Sequence, residues 1–230
     1  MRAHLKITLF NLTLCCALLA EAMDQFPSLN FRGASITRGF RAGASLESRY
    51  ERQLMTESES IRAQINSMKT LVALDYFFVT NFSALRSGSE QLFSETFEAV
   101  LHQWLTQHDA VIVGLLPVEA ELSAANREFL HSTRGRAFAG PFALISSCCN
   151  SRAMEVNRRL RALAATEGKL HLFDWTLMVD HYRVNVNEWP SASSLFADRL
   201  HINQAGQKVL YNLCFKSVLE RVWRVSLRLM

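Results

Sequence analysis

The run Thr70–Val79 (TLVALDYFFV) decides how this chain has to fold. It is apolar, short, and rich in β-branched and aromatic residues, which reads as a buried strand. Residues 45–68 before it are rich in Glu, Arg, Gln and Ser, with Leu, Tyr, Met and Ile at helical spacing, so one or two surface helices are predicted there. Residues 87–107 after it place Leu92, Phe93, Phe97, Val100, Leu101 and Trp104 on one face of an amphipathic helix. Further out, Ala110–Leu116 reads as a second buried strand stopped by Pro117, and Glu119–Phe129 as another helix. Gly135–Ser147 is a loop, Ala153–Glu167 a helix stopped by Gly168, and Leu170–Trp175 a third strand. A polar loop over 180–197 precedes a last helix after Asn203, and a short strand, Leu29–Arg32, leads into Gly33–Gly39. Strands alternating with helices predict an α/β fold: a three-layer sandwich whose parallel sheet is flanked by helices. No repeat, low-complexity tract or linker divides residues 23–230, so they are expected to form a single domain.

Hydrophobic residues make up 49% of the chain and charged ones 20%, the balance of a globular protein rather than a disordered one. The net charge of +4 is spread among interspersed acids and bases, which gives no case for nucleic acid. Cys-x-x-Cys, His-Glu-x-x-His and carboxylate-rich calcium loops are all missing from the sequence, so neither metal nor cofactor is expected.

The N-terminus carries Arg2 and Lys6, an apolar run from Ile7 to Ala20, and the small-x-small triplet Ala20-Glu21-Ala22. Residues 1–22 therefore read as a cleavable signal peptide, and the protein as secreted or periplasmic, with a retained anchor as the alternative. The run falls short of the roughly 20 residues of a membrane span, so no stable span is expected after signal removal. Cys148, Cys149 and Cys214 remain after cleavage. An odd number permits at most one disulfide, from Cys148 or Cys149 to Cys214, and buried free thiols are the other reading.

In open parallel sheets the reactive groups gather beyond the carboxyl ends of the strands. Three stretches qualify: Gly33–Gly39, Asp75 to Asn81, and the loop Asp198–His201. Asp198-x-x-His201 allows a short turn to bond the carboxylate to one ring nitrogen and leave the other free, as a general base requires. Its ordinary reading is a capped surface loop, and a nucleophile upstream is what reverses it. Ser35, at a strand-to-helix turn, would place its hydroxyl at the sheet's edge; its ordinary reading is an N-cap.

Gly33-Ala34-Ser35-Ile36-Thr37-x-Gly39 after the first strand, with Asp198-x-x-His201-x-Asn203-x-x-Gly206 before the last helix, resembles the SGNH (GDSL-type) esterase and lipase family. The helix around Asn157 and the strand ending in Asp174 are similar to that family too. The resemblance implies a flavodoxin-like fold with Ser35 as nucleophile, His201 as base and Asp198 as its orienter. Ala34 stands where the family usually has Asp. For the family's oxyanion-hole glycine the nearest candidates are Gly43 and Ser45, in a second Gly-Ala-Ser, with Gly39 a further oxyanion or pocket candidate, and Ser45 is also an alternative nucleophile. For the family's oxyanion-hole Asn the choices are Asp75 and Asn81. An ionised Asp75 would oppose an oxyanion, and its ordinary reading is a structural acceptor at a strand end. Trp175, Tyr182 and Trp189 either pack in the core or line a pocket.

The expected function is an exported serine esterase that hydrolyses carboxylic esters, acyl or acetyl groups on lipid or carbohydrate, through an acyl-enzyme. The alternatives are a non-catalytic envelope or carbohydrate-binding protein that keeps the fold, and a glycan acyltransferase. The expected partner is a small-molecule, lipid or glycan ester.

Overall fold

The computed structural model describes residues 26–40, 42–76, 90–136, 142, 150–184, 195–198 and 201–230. Strands β1 (Leu29–Phe31), β2 (Thr70–Ala73), β3 (Ala110–Gly114) and β4 (Leu170–Phe173) form one sheet in the order β1-β2-β3-β4. All three pairings are parallel, in a register that aligns Phe31 with Val72, Val72 with Ile112, and Ile112 with His171. Every residue of β2 and β3 is buried, as a strand covered on both faces requires. The fold is the expected single-domain α/β three-layer sandwich.

The crossover from β1 to β2 holds helices α1 (Leu46–Leu54) and α2 (Glu59–Asn66). Each starts where a serine hydroxyl, of Ser45 and Ser58, accepts from a backbone N–H three residues on. Helix α3 (Glu90–Gln107) joins β2 to β3 and packs on β3. A 3₁₀ turn (Glu119–Glu121), α4 (Ala124–His131) and α5 (Asn150–Thr166) lie between β3 and β4. The helix expected over Glu119–Phe129 is split because the Ser123 hydroxyl accepts from the Asn126 N–H and starts α4 afresh. Helix α6 (Trp175–Val184) replaces the start of the expected polar loop. Asp174 opens it by accepting from both the N–H and the hydroxyl of Thr176.

The chain ends in α7 (Gln204–Leu210), a π-helical turn (Tyr211–Phe215) and α8 (Lys216–Trp223). This segment covers one face of the sheet. Phe215 packs against Phe31 and Phe173, and the Trp223 indole N–H donates to the Thr70 hydroxyl at 3.0 Å. Tyr50 of α1 joins the same cluster, 5.1 Å from Phe215 and 5.0 Å from Tyr211 between ring centroids. Trp175 and Tyr182 are buried, so the core reading of both holds, while Trp189 lies outside the described residues.

Residues 1–22, Cys148 and Cys149 also lie outside the described residues. Among the described residues no helix is long and apolar enough to cross a membrane. Cys214 is a free, buried thiol, and burial pushes its pKa up to about 12, which keeps it from forming the reactive thiolate.

On β4, burial first and Arg221 of α8 second lower the pKa of His171. The unfolded chain therefore takes up this proton first as pH falls. The contribution of a neutral His171 is complete above the ordinary histidine value of about 6.5 and is lost as pH falls toward the lower folded value. His171→Gln is expected to show a smaller loss of stability than wild type between about pH 7.5 and 5.5 in urea denaturation. Equal losses would leave the imidazole no part in acid sensitivity.

Candidate active site

Beyond β1 the chain makes one tight turn rather than a long helix. The Arg38 N–H donates to the Ala34 carbonyl at 2.9 Å, and the Phe40 N–H to the Ser35 carbonyl at 2.9 Å. The first N–H groups of such a turn have no partner within it and point the same way. Asp75, just past the end of β2 and 1% exposed, meets them. Its Oδ1 accepts from the Ala34 N–H at 2.9 Å, and its Oδ2 from the Ile36 N–H at 2.8 Å and the Thr37 N–H at 3.4 Å. The Thr37 hydroxyl donates to Oδ1 as well. A Cβ on Gly33 would collide with the Thr37 hydroxyl and the Asp75 carboxylate, so only glycine lets the carboxylate sit this close.

Asp75 thus fills its structural reading, and as a saturated acceptor it offers no donor to an oxyanion. Turning toward this loop is also why β2 ends at Ala73; residues 77–79 of the expected strand lie outside the described residues. Gly39 likewise serves the turn. Its φ of 70° and the nearby Ala44 carbonyl exclude a side chain, and its N–H donates to the Ile36 carbonyl at 3.0 Å. Asn81 lies outside the described residues. Among amides 34 to 37, only that of Ser35 is left over by Asp75, and no acceptor among the described residues takes it.

The second half of the site is a tight loop before α7. Phe196 and Ile202 form an antiparallel bridge, the Ala197 N–H donates to the His201 carbonyl at 2.8 Å, and the Asn203 N–H to the Leu195 carbonyl at 2.9 Å. Asn203 then caps α7, its side-chain oxygen accepting from the Gly206 N–H at 3.0 Å. At the loop's tip Asp198 Oδ1 accepts the His201 backbone N–H at 2.7 Å, while both carboxylate oxygens lie within 3.0 Å of Nδ1. One carboxylate therefore shapes the loop and aims the ring.

The halves meet at His201 Nε2, 3.0 Å from Ser35 Oγ across 166 residues of sequence. An imidazole that donates Nδ1–H to Asp198 has only Nε2 left to accept, and the serine hydroxyl lies there. The structure brings Ser35, His201 and Asp198 together as the resemblance implied. Ser45 is elsewhere, as the N-cap of α1, with its hydroxyl accepting from the Ser48 N–H at 3.1 Å. Such a row can pass a proton from a hydroxyl to an imidazole held by a carboxylate, with the Ser35 N–H free to bond an oxyanion.

Two residues that the sequence did not single out belong to this site. Phe40, 51% exposed, lies with its ring centroid 4.7 Å from that of His201. Gln207, wholly buried, clamps the two halves together: its side-chain N–H donates to the Ala44 carbonyl at 3.0 Å and its oxygen accepts from Arg49 Nε. The Tyr50 hydroxyl adds a bond to the Gln207 carbonyl at 3.2 Å. Gln207 sits one helical turn past Asn203, but its partners lie about 160 positions away, so local spacing gave no signal. Among the described residues no group of three His, Cys, Asp or Glu could hold a metal ion. Comparison of the chain with family models, curated proteins and solved structures finds no match.

Asp75→Ala leaves two buried amides, one half-buried amide and a hydroxyl without their acceptor. It is expected to cost about 3 kcal/mol or more of unfolding free energy in urea denaturation. A loss under about 1 kcal/mol would mean that water replaces the carboxylate. Gln207→Leu, which removes the clamp but keeps the burial, is expected to cost about 1–3 kcal/mol in the same assay.

Proposed function

We propose that this chain is an exported serine esterase of the SGNH type. The observation that carries the reading is the unbroken row of hydrogen bonds Ser35–His201–Asp198, built from two distant loops at the carboxyl edge of a parallel sheet. In the proposed reaction Ser35 Oγ bonds to the ester carbonyl carbon as its proton passes to His201 Nε2. The oxyanion takes the Ser35 N–H as its first donor, and Asp198 steadies the imidazolium. The carbon–oxygen bond to the alcohol then breaks, and the alcohol leaves with the Nε2 proton. Water repeats the sequence in reverse roles, releasing the acid and restoring the serine hydroxyl. Acyl or acetyl esters of lipid or carbohydrate are the substrate class, and the site of action is the periplasm or the exterior. Transfer to a glycan hydroxyl would use the same three residues with a different acceptor.

A fluorophosphonate is expected to label wild-type protein at Ser35, read by peptide mass spectrometry. Ser35→Ala is expected to lose the label and about 10³-fold or more in hydrolysis of short p-nitrophenyl esters. Asp198→Asn should lower kcat by about 10²–10⁴, since it disturbs the tautomer and leaves the nucleophile in place. Ser45→Ala should keep the label and lose about 1 kcal/mol of stability as its helix loses a cap. Label that persists in Ser35→Ala would move the nucleophile elsewhere.

A further inference from the structure

The imidazole of His201 turns about its Cβ–Cγ bond, a torsion with broad preferences. Asp198 restrains it at Nδ1, and Ser35 Oγ lies 3.0 Å from Nε2. A third restraint is a ring. The Phe40 phenyl has its centroid 4.7 Å from that of the imidazole, with the two planes 59° apart, which is contact range for a tilted aromatic pair. Phe40 belongs to the Ser35 turn: its N–H donates to the Ser35 carbonyl at 2.9 Å, and Gly39 before it takes the positive φ of 70°. One short piece of chain therefore carries both the hydroxyl and a ring that abuts the imidazole. The Gln207 clamp acts on the Ala44 backbone, whereas Phe40 reaches the imidazole itself. Exposure points the same way. The His201 side chain is 16% exposed and Phe40 is 51% exposed. The phenyl thus covers part of the imidazole while half of its own surface stays in water, where it gains nothing from burial. Lone exposed apolar residues are common, and the contact with His201 is what sets this one apart.

We propose that Phe40 is a positioning residue for the reaction: it keeps His201 Nε2 in line with Ser35 Oγ and keeps water from the imidazole. The inference rests on the esterase reading. Phe40 acts through His201, so its effect falls on attack and proton transfer rather than on affinity for the ester.

Phe40→Ala is expected to lower kcat for p-nitrophenyl acetate about tenfold or more, with KM changed by less than about threefold. The rate of fluorophosphonate labelling at Ser35 should fall in parallel, because that attack needs the same proton acceptor. Phe40→Tyr, which keeps the ring, is expected to restore both rates. Phe40→Leu, which keeps bulk without a ring, should restore them in part. Urea midpoints close to that of wild type are expected for all three variants, because a half-exposed side chain leaves the fold little to lose.

The Nδ1–H proton that His201 shares with Asp198 supplies a readout that needs no turnover. It is expected as a far-downfield NMR line that is sharp in wild type, broadened by exchange with water in Phe40→Ala and sharp again in Phe40→Tyr. That pattern in a protein that hydrolyses no ester and takes no fluorophosphonate would sink the esterase reading and keep Phe40 as the support of the imidazole. Hydrolysis by Phe40→Ala at the wild-type kcat, with the line unchanged, would overturn the role of Phe40 and keep the esterase. A loss confined to KM would make Phe40 a substrate contact and overturn that role as well.

Discussion

A buried carboxylate with no cation beside it among its hydrogen-bond partners is the constraint on which the rest of this structure depends. Asp75 receives backbone N–H groups from Ala34, Ile36 and Thr37 and the Thr37 hydroxyl. Burying a carboxylate is tolerable only when its lone pairs are met, and here the donors come from one turn of chain. The parallel register makes the meeting possible. Phe31 pairs with Val72, and the Arg32 N–H donates to the Val72 carbonyl at 2.8 Å, so β1 and β2 deliver their carboxyl ends side by side. The turn thereby gains a fixed shape without a long helix behind it, and Ser35 is the residue whose amide the carboxylate passes over.

Fixing Ser35 is half of the problem, because His201 arrives on the other end of the chain. The aromatic cluster of Phe31, Tyr50, Tyr211 and Phe215 joins β1, α1 and the C-terminal segment across one sheet face. Aromatic pairs of this kind contribute about 0.5–1.5 kcal/mol each beyond the area they bury. Directional precision comes from Gln207, whose buried amide bonds to the loop that leads out of the Ser35 turn. Packing brings the two segments together, and that amide sets how they align. The 3.0 Å separation of Ser35 and His201 is the outcome of both.

The His201 loop is self-contained by comparison. Asp198 bonds the backbone and the ring of the same histidine, so the carboxylate and the imidazole move as one unit. A local spacing of three residues is enough for that. What such a unit lacks is any means of choosing the hydroxyl it meets, which the sheet and the core supply.

Much of the architecture was legible in the chain because it follows from local pattern. Apolar runs such as Ala110–Gly114 announce buried strands, and the amphipathic stretch ending at Gln107 announces its helix. Serine caps mark helix starts, although the cap at Ser123 shows only in the tertiary structure. Asp198 and His201 were legible for the same reason, since their relation is contained in four residues. Ser35 was readable as a turn serine, but its choice over Ser45 was open, since both sit in a Gly-Ala-Ser triplet. Tertiary structure decided that choice, along with the duty of Asp75, the clamp of Gln207, and the place of Phe40 over the imidazole. Each depends on which atoms meet across tens to more than a hundred positions, and a hydrogen bond's direction at such a distance is set by strand register and core packing. Spacing along the chain carries no record of it.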